Sequence, residues 1–350
     1  MAFTTIAKPS VHFDVPTWTG SDSTTTITGM GFKPDTLLIK RYDGSGAPVM
    51  NNSSFGVAKN WILSTAVNDT NTLVASYTSD GFTLTGNNND TNDASQKYMA
   101  GCWKANGGTT ASNSDGATTS TVQANTTSGF SVVTYTGTGS ATTLGHGLGA
   151  VPKIIISKSF TTEDWGGFFN GSTVYHTDPA TDYLNVAQNS STLTDSDTVW
   201  NDTAPTSTVF SVNSSTLANK SGDSYVAYCF AEVQGFSKFG YYSGTGNVRG
   251  TKVYCGFRPK WIMIKNIDGS ENWFSKQTGL TGFGYGAEKT RTVKYDDSTS
   301  STNCYVHFES NGFRPTTTDG KANGDDTKYL YMAFAEMPMV GTNGTVALAI

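Results

Sequence analysis

Carboxylates are the first residues to examine for chemistry in this chain, and glutamate is scarce. Only Glu163, Glu232, Glu271, Glu288, Glu309 and Glu336 occur. Hydrolysis of a glycosidic bond needs two carboxyl groups about 5 to 10 Å apart across a cleft. Glu232 and Glu336 close matching apolar segments, so a capping or packing role accounts for them better than catalysis. Asp164 beside Trp165 pairs an acid with an aromatic ring, a combination that contacts sugars. The histidines, His12, His146, His176 and His307, lack the spacing of a metal motif. His146 stands between Gly145 and Gly147 and fits a tight turn. No Gly-x-Ser-x-Gly elbow is available to activate one of the many serines.

Two further groups have the composition of sites. The runs 87–93 (Asn-Asn-Asn-Asp-Thr-Asn-Asp) and 319–326 (Asp-Gly-Lys-Ala-Asn-Gly-Asp-Asp) offer oxygens to a hard cation. Neither has the spacing of an EF-hand loop, and solvated hairpin tips are the expected reading. The cysteines, Cys102, Cys229, Cys255 and Cys304, form no Cys-x-x-Cys pair. They read as small buried apolar residues, not as a redox or zinc site. No catalytic, cofactor or metal-binding residue is therefore assigned, and the chain is expected not to be an enzyme.

Aromatic residues remain as candidates for contact with a partner. Trp61, Trp165, Phe168, Phe169, Trp200, Trp273, Phe274 and Tyr285 fall in stretches of variable length, where exposed loops are expected. Trp61, Asp164, Trp165, Phe168, Trp200, Trp273 and Phe274 form the candidate contact surface. Filling of domain interiors is the competing reading of the same rings.

The elements that position these residues recur three times. An aromatic, a hydroxyl residue and Gly come first: Trp18-Thr19-Gly20, Tyr135-Thr136-Gly137 and Tyr242-Ser243-Gly244. About 16 or 17 residues later a Pro opens an apolar run that ends in Lys, at Pro34 to Lys40, Pro152 to Lys158 and Pro259 to Lys265. The third block holds Phe82, Phe210 or Phe313. The fourth begins at Tyr98, Tyr225 or Tyr329 and runs to Trp103, Phe230 or Phe334. The apolar runs lack alternation, which predicts strands buried on both faces. The fourth block alternates, with Tyr98, Ala100 and Cys102 facing one way and Met99 and Trp103 the other.

Composition supports an extended, turn-rich chain. Charged residues make up 15%, well below the usual quarter, while aromatics reach 12% and Gly numbers 38. The net charge of −5, with 23 scattered Lys and Arg, argues against a nucleic-acid surface. No apolar stretch approaches the ~20 residues that span a bilayer, and the first ten residues lack the pattern of a signal peptide. The expected fold is all-β, with three tandem, jelly-roll-like β-sandwich repeats and short helices or none. Their expected limits are 11–105, 129–233 and 234–338. An N-terminal arm (1–10), a Gly/Ser/Thr/Asn-rich linker (106–128), flexible by composition although Thr119 to Val122 could pair locally, and a docking C-terminal tail (339–350) complete the expected organisation.

One combination of motifs resembles a known family. Gly-Phe-Lys/Arg-Pro leads into a run ending in Ile-Lys, alongside Tyr225-Val226-Ala227-Tyr228-Cys229-Phe230-Ala231-Glu232 and Gly145-His146-Gly147-Leu148-Gly149. Trp200 to Ser207 and Gly235 to Gly240 add to the likeness. The pattern is similar to a repeated domain of unknown function in tail-fibre and virion structural proteins of marine bacteriophages, including phages of cyanobacteria. It covers about Val11 to Pro338 and carries no catalytic residues. It implies a virion subunit, assembled in a host cytoplasm and then exposed on the particle. The expected partners are two further copies in a homotrimer, other tail or capsid proteins, and a host surface glycan or protein. A head decoration subunit and a free carbohydrate-binding module are the alternatives.

Overall fold

The computed structural model describes residues 4–63, 68–161, 167–170, 180–185, 194–269, 271, 273–278, 293–294 and 305–338. The chain is all-β, and the sheets among the described residues are open, with no barrel among them. Helical structure among the described residues is limited to a 3-10 turn at Pro9–Val11 and one α-helical turn at Asp197–Trp200. Ser196 caps that turn by accepting from the Thr198 amide, and Asn201 ends it in the left-handed conformation. No described helix is long and apolar enough to cross a membrane.

Three large sheets are each centred on a fourth-block strand: Lys97–Trp103, Ser224–Phe230 and Lys328–Pro338. Every one of these strands lies between a first-block strand and an apolar-run strand. The neighbours are Thr17–Thr19 and Thr36–Arg41, Phe130–Thr136 and Ile154–Ser159, and Ser237–Ser243 and Phe257–Asn266. All these pairings are antiparallel. Beside each large sheet stands a small one that holds the third-block Phe, on Gly81–Leu84, Val209–Val212 or Gly312–Pro315.

Alternation on the central strands gives each large sheet two buried faces. Tyr98, Ala100 and Cys102 enter a core with Phe82 and Leu84 of the nearest small sheet. Tyr225, Ala227 and Cys229 do the same with Phe210, and Tyr329, Tyr331 and Ala333 with Phe313. The opposite faces meet one another. Met99, Trp103, Val226, Tyr228, Phe230, Leu330, Met332 and Phe334 all belong to a single shared core. The apolar runs are split in the same way, with Leu37 and Ile39 in one core and Leu38 in the shared one.

At the centre of the shared core, the last residues of the three fourth blocks form a nearly equilateral triangle. Ring centroids are 6.0 Å apart for Trp103–Phe230, 5.8 Å for Trp103–Phe334 and 6.0 Å for Phe230–Phe334. All three contacts are edge-on, the geometry that aromatic quadrupoles favour. The large sheets thus pack around one point and are not strung as beads. Polar contacts, one buried and one half-buried, join them as well. Asn52 donates to the Tyr228 hydroxyl at 2.9 Å, and Lys260 pairs with Asp14 at 3.3 Å.

The stretch 106–128 differs from the expected flexible linker. Ala111–Asn113 and Ser120–Asn125 are strands that extend the second large sheet through Phe130–Thr136. Val122 turns into a core, and the buried Gln123 amide donates to the hydroxyls of Ser53 and Ser54. Thr and Ser supply ladder hydrogen bonds and good strand propensity without an apolar signature, so composition alone could not separate this edge from a linker. The tail 339–350 lies outside the described residues.

Candidate functional site

The hairpin tips ahead of the fourth blocks are built from one set of contacts, used three times. Tyr98 accepts from the Asp93 amide and donates to the Asn89 carbonyl. Tyr225 engages Lys220 and Thr216 at the same offsets, and Tyr329 engages Gly324 and Gly320. Burial pushes the Tyr98 phenol up to about 12, which keeps it a donor. Each tyrosine ring stacks on the first-block aromatic, at 5.7 Å on Trp18, 5.3 Å on Tyr135 and 4.9 Å on Tyr242. The first-block Gly is required by close approach. A Cβ at Gly20, Gly137 or Gly244 would lie 2.1–2.2 Å from the carbonyl oxygen of Asp93, Lys220 or Gly324.

These contacts account for the Asp-rich runs. Asn92 and Asn323 are fully buried in the tips and bond to backbone on both sides. Asp90 accepts from the Ala47 amide, Asp319 pairs with Lys321, and Asp326 pairs with Lys328. Among the described residues no three His, Cys, Asp or Glu side chains gather as metal ligands.

The candidate contact aromatics lie mostly inside. Trp61 and Trp273 are 0% and 1% exposed in the shared core, Trp200 fills the second core, and Phe274 the third. They are corrected from surface to core residues. Trp61 and Trp273 are covered because large-sheet faces pointing away from their own small sheet are sealed by the other sheets, whereas Trp200 and Phe274 fill the space between a large sheet and its own small sheet. Phe168 lies on Gly167–Asn170, opposite Ile156 and Leu184 in register. Asp164, Trp165, Glu163, Glu288, His176, Cys304 and Tyr285 lie outside the described residues, as do the side chains of Phe168 and Phe169.

The remaining acids and bases have structural partners. Glu232 takes Lys238 at 2.9 Å and the Phe239 amide, and Glu336 pairs with Arg258. His146 is fully buried, with Nδ1 accepting from the Leu148 amide and Nε2 lying 3.2 Å from the Thr206 carbonyl oxygen. Burial lowers its pKa from the ordinary 6.5, partly opposed by that carbonyl and by Asp115. Burial also pushes up the thiols of Cys102, Cys229 and Cys255, which are free and inert in this state. Sequence reasoning missed that the Lys ending each apolar run, Lys40, Lys158 and Lys265, is completely buried. Lys40 and Lys265 each donate to the carbonyl six residues on, of Gly46 and Glu271, while Lys158 lies over the Trp61 ring at 5.7 Å.

A half-open cleft of about 590 Å³ lies on the outer face of the third small sheet. Strand alternation builds it. On Val306–Glu309, Val306 and Phe308 turn into the core, so His307 and Glu309 turn outward. Arg314 stands opposite His307 in register, and the Thr316 amide continues the ladder to the Tyr305 carbonyl. Val248 and Arg249 close the remaining side from the loop before Val253–Tyr254. Arg314 pairs with Glu309 at 3.0 Å and donates to the Gly250 carbonyl, while Lys252 holds the other Glu309 oxygen at 2.7 Å. Partial burial works to raise the Glu309 pKa, but the hydrogen bonds and charges of Lys252 and Arg314 outweigh it and hold the carboxyl below its usual range. Lys252 also lies 4.9 Å over the ring of Tyr254, which is 62% exposed. Such a surface can hold a polar ligand by charge and ring contact; Glu309 is the one carboxylate among its described lining residues.

One domain-family model matches the chain in a single span, residues 8–338. The chain belongs to the DUF7483 family, a domain of unknown function. No curated protein and no solved structure matches it. The DUF7483 span begins just before the Pro9–Val11 turn and ends at Pro338, the last residue of the third central strand. It takes in all three large sheets and their shared core, so the family's unit is the whole body and not one third of it.

Proposed function

We propose that this chain is a bacteriophage virion subunit of the tail-fibre type, which meets a host surface glycan or protein and carries out no catalysis. In this reading it consists of three copies of one jelly-roll-like β-sandwich unit, joined back to back. The observation that carries the proposal is the three-sheet body with one shared core, whose outward faces are small sheets and hairpin tips held by repeated hydrogen bonds. A particle protein must hold loops in place outside the cell, and such a scaffold suits that task. Low charge and the family likeness described from the sequence point the same way.

In this reading the assembling unit is a homotrimer, each copy of which brings its own three sheets set about a common point, in contact with other tail or capsid proteins. The engaged states of Glu232, Glu336 and His146 favour a structural over a catalytic use of these groups. Immunogold labelling of intact particles tests the proposal. Label on tail fibres is expected. Label on the head replaces this reading with a decoration subunit, and particles free of the protein overturn both.

A further inference from the structure

The charged pair Lys252 and Arg314 beside the cleft on the third small sheet has no charged counterpart at the equivalent positions of the other two, although the pairing beneath is the same. Pairing registers define the equivalent positions. Arg314 follows Phe313 as Thr83 follows Phe82 and Ser211 follows Phe210. Lys252 precedes Val253, the partner of Phe313, as Thr26 precedes Ile27 and Thr143 precedes Leu144. In the first sheet the two positions are neutral hydroxyls that bond to each other, Thr26 to Thr83 at 3.0 Å. The third sheet puts two cations there. Holding the strands together does not require them, since threonine and serine suffice elsewhere.

The charge balance of the cleft is positive. Glu309 neutralises one of the pair Lys252 and Arg314, and Arg249 adds a cation with no ion pair among the described residues. Counting His307 as neutral, the cleft lining carries two cations, Arg249 and Arg314, and one carboxylate, or one positive charge, and Lys252 adds a second beside it on Glu309, in a chain whose net charge is −5. Tyr305 lines the cleft, and Tyr254 stands nearby with its ring exposed beside Lys252. Planar guanidinium groups suit bidentate recognition of carboxylate or sulfate oxygens. Flat rings with a polar edge suit the faces of sugar rings. The volume of about 590 Å³ falls within the ~300–1,000 Å³ typical of small-ligand sites.

We infer that this cleft binds an anionic saccharide, gripping its carboxylate or sulfate through Arg249, Arg314 and Lys252 against a tyrosine platform. The inference deepens the attachment reading and rests on it, because it names the chemistry of the surface the particle would meet.

The test is calorimetric titration of the full chain with three oligosaccharide sets: oligogalacturonate, a sulfated galactan and neutral maltooligosaccharide. Binding of at least one anionic set and none of the neutral one is expected, and the carboxylated and sulfated arms tell the two sources apart. Affinity should fall at least tenfold in K252T/R314T, which installs the residues of the first sheet. It should also fall on raising salt from about 0.05 to 0.5 M, as the screening length shortens. R249A removes a cation that makes no ion pair among the described residues and serves as a second variant should the first lose its fold. Equal binding of neutral and anionic sets, no binding of either anionic set, or variants that bind like the parent would overturn the inference. If anionic binding fails while the purified chain still blocks particle adsorption, only this inference falls. If both fail, the attachment reading falls with it.

Discussion

Truncating Phe334 to Ala strikes the point where the three large sheets meet. Its ring is 1% exposed and lies 4.7 Å from Phe13, stacked, and 5.7–6.1 Å from Trp103, Phe230, Phe236, Phe239 and Trp261. Loss of a buried phenylalanine costs about 3–5 kcal/mol through transfer and cavity terms. Aromatic pairs add roughly 0.5–1.5 kcal/mol beyond area. With so many ring neighbours fixed by different sheets, the cavity can collapse little, which places F334A near about 5 kcal/mol. Urea unfolding, followed both by tryptophan fluorescence and by far-UV circular dichroism, reads this directly. One transition is expected, displaced equally in both signals, because Trp103 belongs to the first large sheet and Trp261 to the third. F230A should behave alike, and the double variant should lose less than the sum, since the rings touch. A cost under about 1 kcal/mol would refute the shared core. So would a split transition in which only residues 234–338 unfold early.

Three other outcomes follow from the same contacts. Y225F removes a hydroxyl that joins the Lys220 amide and the Thr216 carbonyl, so about 1–3 kcal/mol should be lost, with Y98F and Y329F costing similar amounts; equilibrium denaturation measures it. Stability should be full above pH 6.5 and decline as pH falls below it, because the unfolded chain protonates His146 before the buried folded residue does. Burial and Lys104 lower the His12 pKa in the same direction, so a glutamine at position 146 should flatten only part of the slope in urea midpoints between pH 7.5 and 5.5. The thiols of Cys102, Cys229 and Cys255 should react with a disulfide reagent only after unfolding; fast reaction at any of them in the native protein would contradict their burial.

Strand logic was legible in the sequence wherever alternation or a repeated offset existed. The two-faced burial of the apolar runs and the opposed faces of Tyr98 and Trp103 could both be read from residue order. The Asp-rich runs could be placed at hairpin tips as well, but Asn92 and Asn323 lie fully buried inside them, and His146, expected in a tight turn, is buried and donates its amide to the Thr208 carbonyl. What escaped was the destination of the second face. Trp103, Phe230 and Phe334 stand at matching positions, but only three-dimensional packing reveals that they touch one another. Trp61 and Trp273 were misread for the same cause, since a ring on an outer sheet face looks exposed until another sheet covers it. The cleft was hidden differently. Arg314 and Lys252 differ from their counterparts in the other copies, and comparing copies for what changes, not for what recurs, would have pointed to them.

The attachment role is tested most directly by adsorption competition, with purified chain added to host cells ahead of the particles that carry it. A dose-dependent fall in the adsorption rate constant is expected, approaching zero as the host surface saturates. An unchanged rate constant on cells shown to be saturated, or on cells that retain none of the added chain, would contradict it.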